Sequence, residues 1–304
     1  MISILLQKQS TKTLNQDFDI LSKISNFFYN ELSVYKWAEK LERQQQHIVK
    51  HLNLILNNLP FYETNLDSST ISTMLGYYNE ILERLYKPQG LNDTNEQVKK
   101  EMLMFVSAYT LMEQLFFGKK REQHDGLMKS IDYFEHLKGT MEILLREMPE
   151  PNITVLIIAL LHDSLEDIPG YKKSTIKAIY GEFIAAWIQQ LSKKHWERYL
   201  SEEEYDNYLH AIYVQKKKLR KVAKQRRNED YFGHMDQLNP DYFKVKCADR
   251  IHNLRTLDGL KHEKILRKIH ETEVYFLPIA KTKLPVAYDL MKNEIDRLKE
   301  KYIR

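Results

Sequence analysis

The sequence predicts an all-α protein, on three observations. Glycine and proline are scarce, at 9 and 8 among 304 residues, so few turn formers interrupt the chain. Apolar residues recur at spacings of three and four along most of the sequence, which is the period of an amphipathic helix. No convincing run of alternating apolar and polar residues indicates a β-strand. The hydrophobic fraction of 43% excludes wholesale disorder.

The first hundred residues are predicted to form helices without evident chemistry. Amphipathic spacing indicates one or two helices over residues 17–57 and another over 69–87. Thr94 and Gln97 resemble a capping box for a helix that runs to about Phe117. We interpret residues 1–97 as a supporting or regulatory region and place a domain boundary after them.

The rest of the chain, residues 98–304, is predicted to be helical as well. Apolar periodicity places further helices near residues 131–147, 153–167, 174–192, 204–227, 240–258 and 262–297. The longest purely apolar run, residues 155–161, is far shorter than the ~20 residues of a membrane span. We therefore expect no membrane partner.

The cysteine count and the start of the chain bear on location. A single cysteine, Cys247, excludes a disulfide framework and a zinc site made of several thiolates. The first ten residues show neither a basic leader nor a long apolar stretch, so we expect no signal peptide. A cytoplasmic protein is the simplest expectation. The net charge of +4 is too diffuse to indicate a partner, and an oligomer stays possible.

The main cluster of chemical side chains directly follows the apolar run. His162 and Asp163 come first, and Glu166 and Asp167 lie one helical turn later. Carboxylates packed this closely beside a core repel one another unless a divalent cation or several basic groups compensate. The alternative interpretation is a solvated helix end with an ordinary acidic cap.

Two other segments supply further candidate ligands. Asp249 and Asn253 are four residues apart and share a helix face, although such a segment alone more often forms surface ion pairs. His136 follows Tyr133 closely, and a lone histidine is more often structural than a ligand.

Together, these segments could hold one metal ion. The candidate ligands are His136, His162, Asp163 and Asp249. Imidazoles and carboxylates without a thiolate suit manganese, iron, magnesium or zinc. Glu166 and Asp167 would then be placed to orient or deprotonate a metal-bound water, as in metal-assisted hydrolysis of a phosphate ester.

These segments resemble the motifs of a known family. The order of the four candidate ligands is the H…HD…D signature of the HD phosphohydrolase superfamily. The finer pattern is similar to the hydrolase domain of the RelA/SpoT alarmone enzymes. FFGKKR resembles HxGQxR, YFEH resembles YIxH, HDSLEDIPGY resembles HDxxEDT, and KCADRIHNLRTL resembles KLADRxHNxRTL. A later stretch, ETEVYFLPIA, resembles ETLEIYSPLA.

The resemblance implies a fold and an activity. It implies an HD-domain helical bundle over residues 98–304, with the N-terminal helical region added to it. The implied reaction removes the 3′-pyrophosphate of the nucleotides ppGpp and pppGpp, with manganese as cofactor. Because no length remains for the family's synthetase domain, we expect a protein that only hydrolyses.

The resemblance also implies roles for individual residues. By motif position, the metal ligands are His136, His162, Asp163 and Asp249. Glu166 and Asp167 correspond to the catalytic acidic pair. The substrate-binding positions are Arg121, Lys246, Asn253 and Thr256.

The sequence departs from the family pattern within the first motif, FFGKKR, and directly after it. The family's histidine is replaced by Phe116, and the lysine after Arg121 is replaced by Glu122. These changes leave the ligand set intact. They keep open an HD phosphohydrolase acting on another nucleotide or phosphoester. A non-catalytic alarmone-binding sensor is a further alternative, against which the intact Glu166 and Asp167 pair argues.

A basic stretch forms the last feature. Residues 216–227 contain eight lysines and arginines and no acidic residue. A solvated helix face is the simplest interpretation, and the alternatives are a phosphate-binding wall beside the site and a nucleic-acid surface. The position between two family motifs favours the wall over the nucleic-acid surface, so nucleic acid is not expected as a partner.

Overall fold

The computed structural model describes residues 68–92, 95–121 and 132–303. The α-helices of these ranges are α1 (Ser68–Ile81), α2 (Glu96–Leu115), α3 (Tyr133–Arg146), α4 (Ile153–Leu161), α5 (Ser164–Asp167), α6 (Lys173–Leu191), α7 (Glu202–His210), α8 (Tyr213–Gly233), α9 (Pro240–Arg255), α10 (His262–Glu271), α11 (Leu277–Lys283) and α12 (Pro285–Tyr302). Short 3₁₀ or π turns cover Leu82–Tyr86, Lys87–Gln89, Trp196–Tyr199, Met235–Gln237 and Thr272–Phe276.

The all-α prediction is confirmed. Across the described residues there is no β-strand, and Lys120 and Asp132 form an isolated antiparallel bridge. None of the described helices is both long enough and apolar enough to cross a bilayer.

Helix α4 lies at the centre of the core because its sequence, ITVLIIALL, carries no charge. All of its residues except Thr154 are buried. Asn152 caps its first turn, where the side-chain oxygen accepts a hydrogen bond from the amide of Val155 at 3.0 Å. Helices α2, α3 and α9 pack around α4. The C-terminal end of this buried helix, which carries the HD motif, is therefore held from several sides.

The chain bends sharply where α4 ends, so the prediction of one helix over residues 153–167 is wrong. Asp163 has φ −94° and ψ 0°, and the chain restarts after it as the short α5. The carbonyl oxygen of Asp163 accepts from the amides of Glu166 at 3.1 Å and Asp167 at 2.9 Å. The acidic cluster therefore lies on a bend that caps the buried helix, and not along one helix face.

Other predicted helices are present with different ends. The cap of α2 is Asn95, whose side chain accepts from the amides of Gln97 and Val98. Thr94, which the sequence indicated as the cap, lies outside the described residues. The predicted helix over 204–227 is two helices, because Ala211 and Ile212 between α7 and α8 are extended. The predicted helix over 262–297 is likewise divided into α10, α11 and α12.

The N-terminal region is described only from residue 68, so the helices predicted over 17–57 lie outside the described residues. Helix α1 confirms a helix within the predicted range 69–87. Its residues Met74 and Ile81 are buried in the same hydrophobic core as α2 and α4. The domain boundary after residue 97 stays a prediction.

Candidate active site

The four side chains predicted as metal ligands lie together. His136 comes from α3, His162 and Asp163 from the bend after α4, and Asp249 from α9. The Nε2 atom of His136 lies 3.6 Å from Oδ2 of Asp163 and 3.2 Å from Oδ1 of Asp249. The Nε2 atom of His162 lies 3.2 Å from Oδ1 of Asp163 and 3.8 Å from Oδ1 of Asp249. Three separate segments of sequence therefore converge on one point.

The donor set fits a divalent cation. His162 is 1% exposed, and its Nε2 atom makes no well-aligned hydrogen bond with the described residues although it points between two carboxylates. Leaving such an atom unpaired costs about 1–3 kcal/mol, unless another partner uses its lone pair. One ligand atom from each of His136, His162 and Asp163 lies within 4.8 Å of the others. This spacing and this chemistry suit a metal bound by imidazole and carboxylate groups.

The electrostatics keep the two aspartates ionised. Burial raises the pKa of Asp163 and Asp249, but the neighbouring His162 and His136 outweigh burial and hold both values below the usual range. Burial lowers the pKa of His162, whereas Asp163 and Asp249 raise it to about 9. In His136 burial and the charge of Arg121 dominate, so its pKa is lowered.

Glu166 and Asp167, the predicted catalytic pair, lie on α5 at the rim of the ligand set. An oxygen of Glu166 accepts from the amide of Lys193 at 2.7 Å, and an oxygen of Asp167 accepts from the hydroxyl of Tyr133 at 2.5 Å. Both side chains reach solvent, yet the crowded cleft removes much of their hydration. This desolvation and the charge of Asp163 raise the pKa of both carboxyls, so each is a better proton acceptor than an ordinary one.

Phe116 and Tyr133 form an aromatic wall that the sequence did not reveal. Phe116 is 1% exposed and stacks on Tyr133, with ring centroids 4.6 Å apart and an interplanar angle of 19°. The Tyr133 hydroxyl lies 2.8 Å from Oδ2 of Asp163 and 2.5 Å from Oδ2 of Asp167. The stack therefore holds this hydroxyl between a candidate metal ligand and the acidic pair.

Two of the four predicted substrate-binding residues contact each other. Nη2 of Arg121 donates to Oδ1 of Asn253 at 2.8 Å, and Nδ2 of Asn253 donates to Oδ1 of Asp249 at 2.5 Å. Thr256 ends α9, and its hydroxyl donates to the carbonyl oxygen of His252 at 2.9 Å. Glu122 lies outside the described residues.

The fourth residue, Lys246, belongs to a group of cations that we name the cationic cluster. Its members are Lys193, Lys246, Arg250 and Lys268. Lys246 and Arg250 are 5% and 4% exposed. Lys193 and Lys246 both lie over the ring of Tyr231, at 5.1 and 5.2 Å from its centroid. The sequence indicated Lys246 and left Lys193 and Lys268 unnoticed, because neither is part of a recognisable motif.

Among the described residues, the four cations of the cluster outnumber the carboxylates that act on them, which are Glu166, Asp249 and Glu271. Glu271 lies 3.3 Å from Arg250 and 3.6 Å from Lys268. Burial and the charge of Arg250 lower the pKa of Lys268 to about 7, although Glu271 opposes this. The pKa of Lys193 is lowered by burial and by the nearby cations, against the charge of Glu166. Cations that suppress one another's protonation favour the entry of an anion.

Lys268 should give anion binding a measurable pH dependence. It carries its proton below about pH 7, and a bound anion favours the protonated form. The affinity for sulfate, which does not itself titrate in this range, should therefore fall as the pH rises through 7. Calorimetric titrations of Lys268→Met should lack that step, whereas Lys281→Met, at an exposed position, should keep it. An identical pH profile in Lys268→Met and wild type would contradict this assignment.

The basic stretch over residues 216–227 lies on α8, and three of its cations contact side chains of neighbouring elements. Lys216 lies 5.5 Å from the ring centroid of Tyr208, and Arg220 lies 5.5 Å from that of Trp196. Arg226 forms an ion pair with Glu204 at 2.6 Å. For these three cations the contacts favour the solvated-face interpretation over a phosphate-binding wall.

The comparisons with known proteins agree with the motifs. No family model matches the sequence. A "GTP pyrophosphokinase rsh" of Brucella ovis is 29% identical over 226 residues, which are 74% of this chain and 25% of that protein. A GTP pyrophosphokinase of Streptomyces coelicolor is 26% identical over 203 residues, 67% of this chain and 20% of that protein.

A third relative carries a hydrolase name. The guanosine-3′,5′-bis(diphosphate) 3′-pyrophosphohydrolase of Haemophilus influenzae is 26% identical over 182 residues, 59% of this chain and 23% of that protein. The matches thus span a quarter or less of the relatives' own length.

A solved structure has also been compared with this chain. It is a metazoan orthologue of SpoT, described as hydrolysing ppGpp with a role in starvation responses. It covers 65% of this chain and 94% of its own, at 15% identity and a TM-score of 0.48. The sequence relatives are RelA/SpoT-type proteins, in agreement with the order of the HD motifs in this chain.

Proposed function

We propose that this protein is a metal-dependent phosphohydrolase that removes the 3′-pyrophosphate from guanosine 3′,5′-bis(diphosphate) alarmones, ppGpp and pppGpp. The observation that carries the proposal is the contact of Glu166 with the amide of Lys193 at 2.7 Å. This hydrogen bond joins α5, which follows the candidate ligands His162 and Asp163, to Lys193 of the cationic cluster. Catalytic and anion-binding groups therefore share one site. The single cysteine, Cys247, is buried and free, which suits the cytoplasmic location that we propose.

The charge of the cluster supports a polyanionic substrate. A nucleotide with pyrophosphates at both its 5′ and 3′ positions brings several negative charges into the site. One divalent cation cannot neutralise them all, whereas Lys193, Lys246 and Lys268 add three more positive charges when protonated. A mononucleotide phosphoester would leave much of this positive charge unmatched, so the cluster favours the bis-pyrophosphate over the simpler ester.

The ligand set would hold the cation, for which we propose manganese. When bound, a divalent ion supplies a polarised phosphoryl oxygen and a water of lowered pKa. The residues that would hold it are His136, His162, Asp163 and Asp249.

The neighbouring side chains would carry out the rest of the reaction. Glu166 or Asp167 would accept the proton of the attacking water, since desolvation in the cleft and the charge of Asp163 raise the pKa of both carboxyls. The Tyr133 hydroxyl keeps Asp167 oriented towards the ligand set. Lys246 and Lys193 would stabilise the charge that develops on the phosphoryl oxygens of the 3′-pyrophosphate as water attacks it. A bond between the water oxygen and phosphorus would form as the bond between the 3′ oxygen and phosphorus breaks. The proton taken from water would pass to the 3′ oxygen, leaving a 3′ hydroxyl and free pyrophosphate.

One observation favours a second candidate, an HD phosphohydrolase that acts on another nucleotide or phosphoester. Phe116 stands where the family motif has histidine, and it is buried against Tyr133. A phenyl ring cannot donate the hydrogen bonds of an imidazole, so this edge of the site would select a different group. A non-catalytic alarmone sensor needs no acidic pair, and the position of Glu166 and Asp167 argues against it.

A panel assay tests the proposal. The manganese-loaded protein should release pyrophosphate from ppGpp and pppGpp, and a chelator should stop the reaction. Adenosine analogues and mononucleotides belong in the same panel, with phosphate and pyrophosphate measured separately. Turnover of another nucleotide alone would favour the second candidate, and tight binding of ppGpp without turnover would favour the sensor.

A further inference from the structure

His252 contacts the candidate ligand His136 on the side that faces away from the metal-ligand set. Their Nδ1 atoms are 2.9 Å apart, and their ring centroids are 4.8 Å apart. The other nitrogen of His136, Nε2, is the one that approaches Asp163 and Asp249. His136 is 1% exposed, so water has little access to its ring.

The short distance between the two Nδ1 atoms restricts where the protons can be. A hydrogen bond between two ring nitrogens needs one donor and one acceptor. For His136 to offer the lone pair of Nε2 to a cation, its own proton must be on Nδ1. His136 then donates from Nδ1, and Nδ1 of His252 accepts, which requires His252 to be neutral with its proton on Nε2.

A glycine makes room for this contact. Gly139 lies on α3, one turn after His136. A Cβ atom at position 139 would lie only 2.2 Å from both Cδ2 and Nε2 of His252, a distance that real Cβ atoms do not tolerate. Because Gly139 carries no side chain, the ring of His252 can approach α3 closely enough to reach His136.

We infer that His252 is a positioning residue that fixes the tautomer and ring orientation of His136, and that Gly139 keeps the space this requires. The inference rests on the metal centre of the proposed function. A histidine that binds a metal usually donates its second ring N–H to an acceptor, and loss of that acceptor typically weakens metal binding about 10–100-fold. In this chain the acceptor is another imidazole.

A matched pair of variants tests the inference. His252→Asn places an amide oxygen at the position of Nδ1 of the imidazole. The leucine of His252→Leu has nearly the same shape as asparagine but carries no hydrogen-bond acceptor. Titration with Mn²⁺ alone, followed by electron paramagnetic resonance, should show about 10–100-fold weaker binding for His252→Leu. His252→Asn should restore most of the affinity. A purely structural role for His252 would not make the two variants differ.

Ring ¹⁵N spectra of the protein loaded with diamagnetic Mg²⁺ supply a readout besides affinity and activity. In wild type and His252→Asn the remaining ring proton of His136 should be on Nδ1 and hydrogen-bonded, and in His252→Leu that hydrogen bond should be lost. A wild-type His136 whose Nδ1 carries no proton in the loaded protein would overturn the inference.

A double-mutant cycle tests the role of Gly139. Gly139→Ala should weaken Mn²⁺ binding in the wild-type background, because the added methyl displaces the ring of His252. In a His252→Ala background the same substitution should have little further effect, since no ring remains to be displaced. Equal losses in both backgrounds would overturn the role of Gly139.

The outcomes separate this inference from the proposed function. Equal Mn²⁺ affinity in wild type, His252→Leu and His252→Asn would overturn the positioning role and leave the metal centre standing. A wild-type protein that binds no divalent cation would refute the metal centre, and with it the metal-binding role of His252.

Discussion

Replacing Asp249 with alanine is expected to remove the bound cation while leaving the helical fold in place. Oδ1 of Asp249 lies 3.2 Å from Nε2 of His136 and 3.8 Å from Nε2 of His162, so this carboxylate faces both candidate imidazole ligands. Its loss takes away one of the two anionic ligands of the candidate set. The apolar core around α4 does not depend on it, so the unfolding transition should change little.

Two measurements check this expectation. Elemental analysis after dialysis should find manganese in the wild type and a strongly reduced content in Asp249→Ala. Circular dichroism should show the same helical signal for both proteins. Asp296→Ala, which removes only a surface ion pair with Lys292, is the matched control and should keep its metal. Full occupancy in Asp249→Ala would disprove the assignment of this residue as a ligand.

The four candidate ligands could be named from the sequence because they lie in motifs of fixed internal spacing. His162 and Asp163 are adjacent, and Asp249 and Asn253 are one helical turn apart, so each pair is visible without knowledge of the fold. Their convergence with His136 follows from the packing of α3 and α9 on the central α4. The three segments therefore meet, as the family resemblance implied.

The bend at Asp163 could not be predicted in the same way. Apolar periodicity continues from Ile158 through Leu161 and Leu165, so the sequence favours one helix across the motif. In the structure His162 Nδ1 lies 2.7 Å from the carbonyl oxygen of Ala159, and the chain then leaves the helical path. Local polar contacts of this kind compete with helical hydrogen bonds, and propensity alone does not reveal which arrangement forms.

Apart from Lys246, which the family motif indicated, the cationic cluster escaped prediction for a different reason. Lys193 follows α6, Lys246 lies on α9 and Lys268 lies on α10, so their proximity depends on tertiary packing. Each lysine taken alone is an ordinary residue of a charged sequence. The basic stretch over residues 216–227 is far more conspicuous in the sequence, yet Lys216 and Arg220 contact the rings of Tyr208 and Trp196. The stretch of sequence with the most closely spaced basic residues is therefore not the one that supplies the cationic cluster.

Converting Glu166 to Gln and Asp167 to Asn should leave the metal bound and lower hydrolysis. Removing general-base help typically costs about 10²–10⁴-fold in rate, or roughly 3–5 kcal/mol of transition-state stabilisation. The amide oxygens of both variants can still accept from the Lys193 amide and the Tyr133 hydroxyl. The shape of the site should therefore survive, and the change in rate should report proton transfer alone.

The wild-type pH profile tests the same assignment independently. A general base acts only when deprotonated, so activity should rise with pH as the carboxyls lose their protons, and the double variant should lack this step. Glu182→Gln, on the exposed surface of α6, is the matched control and should leave rate and profile unchanged. If the double variant binds metal and turns over substrate at the wild-type rate, neither Glu166 nor Asp167 is the general base, and another group at the site must act as the base.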